Sequence, residues 1–277
     1  MLTSRKLKEI LRRTRLYRVY QRQRVLGRET DSFANWTEAD EQRLGFYREF
    51  IGPGDLVFDV GANLGTRSKV FLELGAEVVA FEPQRLCADF LIQVLGTHPR
   101  FKLLRKALGA RPEIGEMHIS DTHYISSLSR DWIEATSRTG RFQGHNWATK
   151  QRVEIDTLDN AIAMHGCPRF IKIDVEGYEA EVLSGLSQPI QCISIEFTPE
   201  RIENTYRCIE RLCTMGETEF QISLHESSKF ELPTWSSSGV VKEILAQIDP
   251  PAYGDLYVRR ITANQTKGNH AALMVYH

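Results

Sequence analysis

Asp59-Val60-Gly61-Ala62-Asn63-Leu64-Gly65 continues the apolar run Leu56-Val57-Phe58, and this stretch decides the fold. Gly52-Pro53-Gly54 supplies a turn ahead of the run and glycines follow it, so it reads as a short buried strand. Gly61 and Gly65 permit a tight turn and a close backbone approach to a ligand. A helix is expected directly afterwards, over about 66–74 and stopped by Gly75, with its free amide hydrogens at the turn.

The alternation continues outward from there. Strand 77–81 leads to a helix opened by Pro83 that runs to about 95, and 101–108 reads as the third strand. Beyond a gap come strand 152–155, helix 158–164, strand 170–174, helix 178–186, strand 190–197 and helix 201–215. Strands near 220–224 and 256–261 follow, with 271–276 as a terminal candidate. Short apolar runs separated by helical periods predict a doubly wound α/β sheet. The gap, about 109–150, is rich in Ser, Thr, Arg and His and is too long for an ordinary α/β connection, so it reads as an irregular insertion.

The chain of 277 residues divides into a basic segment, 1–50, and a single domain, 51–277. Between Arg5 and Arg28 basic side chains recur against one early acid, Glu9, while Leu7, Ile10, Leu11, Tyr17 and Tyr20 keep near-helical spacing. A basic amphipathic helix of this kind suits peripheral contact with a membrane or an acidic partner. A formal net charge of -1 argues against a protein that coats nucleic acid. Five scattered cysteines without C-x-x-C spacing read as free thiols in a reducing compartment. No stretch reaches the roughly 18 apolar residues of a membrane span, and the N-terminus lacks a signal-peptide core, so a cytoplasmic location is expected.

Glu82 ends the second strand about twenty residues beyond Gly61, where a carboxylate can accept both ribose hydroxyls of a nucleoside. A nicotinamide-binding domain uses the same two devices, but its fingerprint needs a second glycine to clear a pyrophosphate. Asn63 stands at that position. Asparagine there suits the amino-acid end of a ligand, and Asp59 is placed to meet an ammonium. S-adenosylmethionine has an ammonium, a carboxylate and a ribose, and no phosphate, so the turn reads as its seat.

Phe170-Ile171-Lys172-Ile173-Asp174-Val175-Glu176-Gly177 ends a strand in two carboxylates and a glycine. Alternation puts Lys172 and Asp174 on one face. A lysine in an apolar strand requires a partner, and Glu196 of a neighbouring strand is the expected one. Taken together, DVGANLG, AFEP, TLD, FIKIDVEGYEAEVLSG and SIEF, in that order from about 55 to 198, resemble the FkbM family of methyltransferases. The resemblance implies a class I fold with a mostly parallel seven-stranded sheet whose last strand is reversed. It also implies S-adenosylmethionine as donor and a hydroxyl of a small molecule or sugar as acceptor. Position by position, it implies Asp59, Gly61, Asn63 and Gly65 as the cofactor loop, Glu82 as the ribose clamp and Asp174 at the methyl-transfer centre. Ser127, in the Ser126-Ser127-Leu128 turn, is a further expected contact, and Asp159 of Thr157-Leu158-Asp159 is expected to be structural, at a helix start.

Methyl transfer to oxygen needs a base for the hydroxyl proton. Asp174 is the first candidate and Glu176 the second, followed by His123 and His145 in the insertion, with His225 a further histidine at a strand end. Asp174, Glu176 and Glu196 could supply oxygens to magnesium, but no dedicated spacing demands a metal. Two alternatives remain open: an RNA methyltransferase gripping phosphates with the N-terminal arginines, and a non-catalytic cofactor-binding scaffold. The strand ends in IDVEG and lacks the asparagine-proline tetrad common in nucleobase amino-methyltransferases.

Overall fold

A computed structural model describes residues 30–261. The basic stretch before residue 30 and the terminal strand expected at 271–276 lie outside the described residues. Seven strands form one sheet in the order β3-β2-β1-β7-β8-β10-β9. They are β1 (Leu56–Val60), β2 (Glu77–Phe81), β3 (Phe101–Leu104), β7 (Phe170–Ile173), β8 (Cys192–Phe197), β9 (Thr218–Leu224) and β10 (Gly254–Arg260). All neighbours from β3 through β8 are parallel, whereas β10, last among the described residues, inserts antiparallel to both β8 and β9. This is the expected class I sheet with its reversed last strand.

Helices cover both faces. On one lie α1 (Glu38–Tyr47), α2 (Thr66–Glu73) and α3 (Arg85–Leu95), burying Tyr47, Phe71 and Leu91 against Val57, Phe170 and Tyr257. On the other, α5 (Leu158–His165), α6 (Glu179–Ser184), α7 (Ile202–Cys213) and α8 (Ser238–Leu245) pack on Phe58, Ile171, Ile173, Ile193 and Ile195. Adjacent strand residues thus serve opposite cores, which explains why β1 and β7 are apolar on both faces. Burial of that kind contributes about 25 cal/mol per Å² of apolar surface removed from water.

Three expectations change. The run 101–108 is two strands: β3 stays in the main sheet, and after Arg105-Lys106 the chain enters a second sheet as β4 (Ala107–Leu108). That sheet has the order β4-β6-β5, with β5 (Glu113–Ile119) antiparallel to β6 (Thr149–Asp156). Lys106 marks the crossing and holds Glu154 at 2.6 Å and Asp156 at 3.3 Å. The stretch 109–150 is consequently ordered: it holds β5, a short 3-10 turn (His123–Ile125) and α4 (Arg130–Thr139). Ser129 accepts from the Trp132 amide at 3.2 Å to cap α4, and Gly140 closes it at φ 76°. Third, α3 starts at Arg85 rather than Pro83, because the Gln84 amide donates to Glu82 Oε1 at 2.7 Å and keeps that bend extended.

Among the described residues no helix is long and apolar enough to cross a membrane.

Candidate active site

The strand order reverses between β1 and β7, and the carboxyl ends there open into a cavity of about 530 Å³, within the range of small-ligand sites. Residues 59–64, Glu82, Asp174, Glu176 and Glu196 line it. Gly61 stands at φ 83°, and a Cβ on it would overlap the carbonyl oxygen of Asp174. Its glycine is therefore required by contact between the β1 and β7 loops, in addition to the turn. Gly65, at φ 79°, is the N-cap of α2, where a Cβ would come within 2.6 Å of Leu91.

Glu82 is 4% exposed and accepts two amide hydrogens, from Asn63 at 2.8 Å and Gln84 at 2.7 Å. Burial nonetheless pushes its carboxyl up to about 8. Asp59, also buried, accepts from Ser68 Oγ at 2.6 Å, and burial raises it to about 6. Asn63 donates its amide to Glu82, while its side-chain oxygen lies 2.7 Å from His123 Nδ1. The expected cofactor loop and ribose acid thus face one cavity, with the Asn63 oxygen engaged by a neighbouring histidine.

Across the cavity Asp174, Glu176 and Glu196 bring carboxylate oxygens within 4.8 Å of one another, a set whose oxygens could also hold a hard cation. Burial, then the charge of Asp174, drives Glu176 and Glu196 well above the ordinary carboxyl range. Glu176 sits at φ 56°, a left-handed backbone that Ser127 helps to hold by donating to its carbonyl at 2.6 Å. Ser127 is wholly buried in that role, so the cavity is lined by its neighbours Ser126 and Leu128 instead.

The partner expected for Lys172 is also corrected. Lys172 pairs with Ser194 in the β7–β8 register, and its amino group lies 2.7 Å from Asp255 and 3.2 Å from Asp174. Glu196 faces Asp255 in the β8–β10 register and is left to the carboxylate cluster. Burial disfavours the charged lysine, but Asp174 and Asp255 outweigh it and raise its affinity for the proton.

Of the histidines, His123 reaches the cavity wall on the 3-10 turn. His145 does not: it pairs with the exposed Asp121 at 3.0 Å, outside the lining. His225 packs edge-on against Tyr253 outside the lining. Asp159, as expected, is structural and accepts the Ser187 amide at 2.8 Å in the first turn of α5.

The insertion carries residues that the sequence did not single out. Trp132 is 1% exposed, donates to Thr198 at 3.2 Å and lies where a side chain on Gly177 would stand. Arg141 grips Glu200 at 2.7 and 2.9 Å and also donates to the carbonyls of Pro251 and Ala252. The family model for the methyltransferase FkbM domain matches residues 59–219, more than half of the chain, and spans the turn, Glu82, the insertion and the carboxylate cluster. The chain belongs to the FkbM methyltransferase family. It is accordingly an S-adenosylmethionine-dependent methyltransferase.

Solved structures similar to this FkbM chain share little sequence with it. A precorrin-6y C5,15-methyltransferase from Geobacter metallireducens is 11% identical, with 83% of this chain and 96% of that chain covered and a TM-score of 0.42. An rRNA methylase from Streptococcus thermophilus is 11% identical, over 83% and 100% of the two chains, with a TM-score of 0.40. A Streptococcus mutans protein described as a methyltransferase, in complex with SAH, is 10% identical over 82% and 100%, at a TM-score of 0.39. A search of curated proteins finds no match.

Proposed function

We propose that this FkbM chain methylates a hydroxyl oxygen of a small molecule or sugar. The observation that carries the reading is the convergence of Asp174, Glu176 and Glu196 in the wall of the cavity that Glu82 also lines. Transfer from a sulfonium is an in-line displacement: the acceptor oxygen bonds the methyl carbon, the carbon–sulfur bond breaks, and the sulfur becomes a neutral thioether. The hydroxyl proton must go to a base held within reach. Asp174 is the first candidate for that base, and beside it stand Glu176 and Glu196, whose hold on a proton is strengthened by burial and by the charge of Asp174. Three carboxyls at the transfer centre can both donate and accept hydrogen bonds, which suits a polyhydroxyl acceptor. Tyr124, Phe142 and Tyr253 in the walls suit the apolar face of a sugar ring.

The test is transfer of labelled methyl from S-adenosylmethionine to a panel of mono- and oligosaccharides, small phenols and RNA, with the product bond assigned by NMR. An oxygen-linked methyl on a sugar or small hydroxyl compound supports the reading. Methylation of RNA alone would sink it.

Glu82 makes the donor's binding pH-dependent. With its carboxyl near 8 in the ligand-free chain, Glu82 is largely protonated at neutral pH. Ribose hydroxyls donate best to the ionised form and lower its pKa, so binding releases a proton and affinity rises as pH climbs toward 8. Calorimetry of S-adenosylhomocysteine at pH 7 in buffers of differing ionisation enthalpy is expected to show this release, and Glu82→Gln to abolish it. Undiminished release in the variant would remove Glu82 from the ribose.

A further inference from the structure

Three cations beside the cavity donate hydrogen bonds to acids, although Arg43 keeps a buried Nε without a partner. Lys172 donates to Asp255, Arg141 to Glu200 and two carbonyls, and Arg43 to Asp40 and Glu226. The side chain of Arg67, the second residue of α2, makes no hydrogen bond to any described residue. Its nearest charge is Glu226, whose Oε2 lies 3.3 Å from its Nη2, and Arg43 already donates to that same oxygen at 3.0 Å. Arg67 Nε is buried without a partner, although the side chain is only 13% exposed and lines the cavity. A guanidinium carries five donors, and covering them without acceptors is costly unless something else supplies the acceptors.

The position says what that something is. Arg67 lies two residues past Gly65, on the helix that the cofactor turn opens, and Asp59 lines the cavity on the other side of that turn. One anion and one cation therefore flank the loop, as the two charges of an amino acid require. Glu226 pairs with Arg67 through one oxygen that it shares with Arg43, so it covers only part of the fork, and it sits in a loop where His225, Glu226 and Ser228 have left-handed backbones at 51–55°.

We propose that Arg67 binds the α-carboxylate of the methyl donor, with Asp59 facing its ammonium. The proposal rests on S-adenosylmethionine being the donor and adds the residue that reads its acid group. Decarboxylated S-adenosylmethionine keeps the sulfonium, ribose and amine and loses only that group, so it isolates the contact.

Binding of both compounds is measured by calorimetry on the full chain and on Arg67→Gln and Arg67→Lys. The wild type is expected to prefer the intact donor by at least about 30-fold, the scale of losing one partner of a buried charge pair. Arg67→Gln is expected to abolish the preference while binding the decarboxylated compound as the wild type does, and Arg67→Lys to restore part of it. Equal wild-type affinity for the two compounds overturns the proposal even if no variant folds. So does an Arg67→Gln variant that weakens both equally, which is a structural role, or one that leaves donor affinity intact and raises only the acceptor KM, which assigns Arg67 to an acceptor carboxylate. Wild-type protein that binds neither compound refutes the donor itself, a distinct result.

Discussion

Asp174→Ala is expected to lower kcat by about 10²- to 10⁴-fold, the usual contribution of a positioned general base. The backbone that carries Asp174 is fixed independently of its side chain: its amide donates to Val60 at 2.9 Å, and its carbonyl closes against Gly61. The carboxylate itself is about one-third exposed and faces the cavity. Lys172 keeps Asp255 at 2.7 Å when Asp174 is removed, so no buried charge is orphaned. The melting temperature should accordingly stay within a few degrees of wild type while single-turnover transfer collapses. A variant with near-normal turnover would hand the proton to Glu176 or Glu196.

Gly61→Ala should have the largest effect on the fold of any single methyl group added near the site. A left-handed backbone costs a non-glycine residue roughly 1–2 kcal/mol, and overpacking against a fixed carbonyl adds about 1–3 kcal/mol. Together these lower stability by about 3 kcal/mol, or roughly 6–12 °C in melting temperature for a domain of this size. Because the clash lies between the cofactor turn and the Asp174 loop, donor binding is expected to vanish as well. Thermal denaturation and a donor titration check both, and an alanine variant that melts with wild type and binds normally would show that the two loops are not in firm contact.

Much of this site was legible because its signals are local. Gly61, Gly65 and Glu82 declare themselves by spacing from a strand end, and the same short-range pattern located β1, β2, β7 and β8. Errors arose where the deciding partner was distant in sequence. Apolar residues from Phe101 to Leu108 look like one strand, since nothing in the run announces that its second half pairs with β6. Lys172 was matched to the acid on the adjoining strand, but β10 inserts beyond β8 and brings Asp255 within reach of a long side chain. Ser127 looked like a ligand contact and proved to be a brace under Glu176. The α4 helix is amphipathic but mostly polar, with Trp132 and Ile133 its only large apolar residues, so it blended into the polar stretch around it. For α8 a usable signal existed in Val241, Ile244, Leu245 and Ile248, spaced as one helical face. Arg67 offered no signal at all, because an arginine early in a helix is ordinary until its surroundings are seen.

The segment between β4 and β6 is pinned where it meets the sheet: His123 to Asn63, Ser127 to Glu176, Trp132 to Thr198 and Arg141 to Glu200. Those anchor residues belong to the donor turn, the carboxylate loop and the stretch after β8. The roof of the chamber is thereby geared to its floor, and any tilt of one carries the turn around Asn63 together with the carboxyl cluster. On the proposed reading, selection among acceptors is expected to follow the few inward side chains of a roof fastened at four points, not the length of a swinging flap.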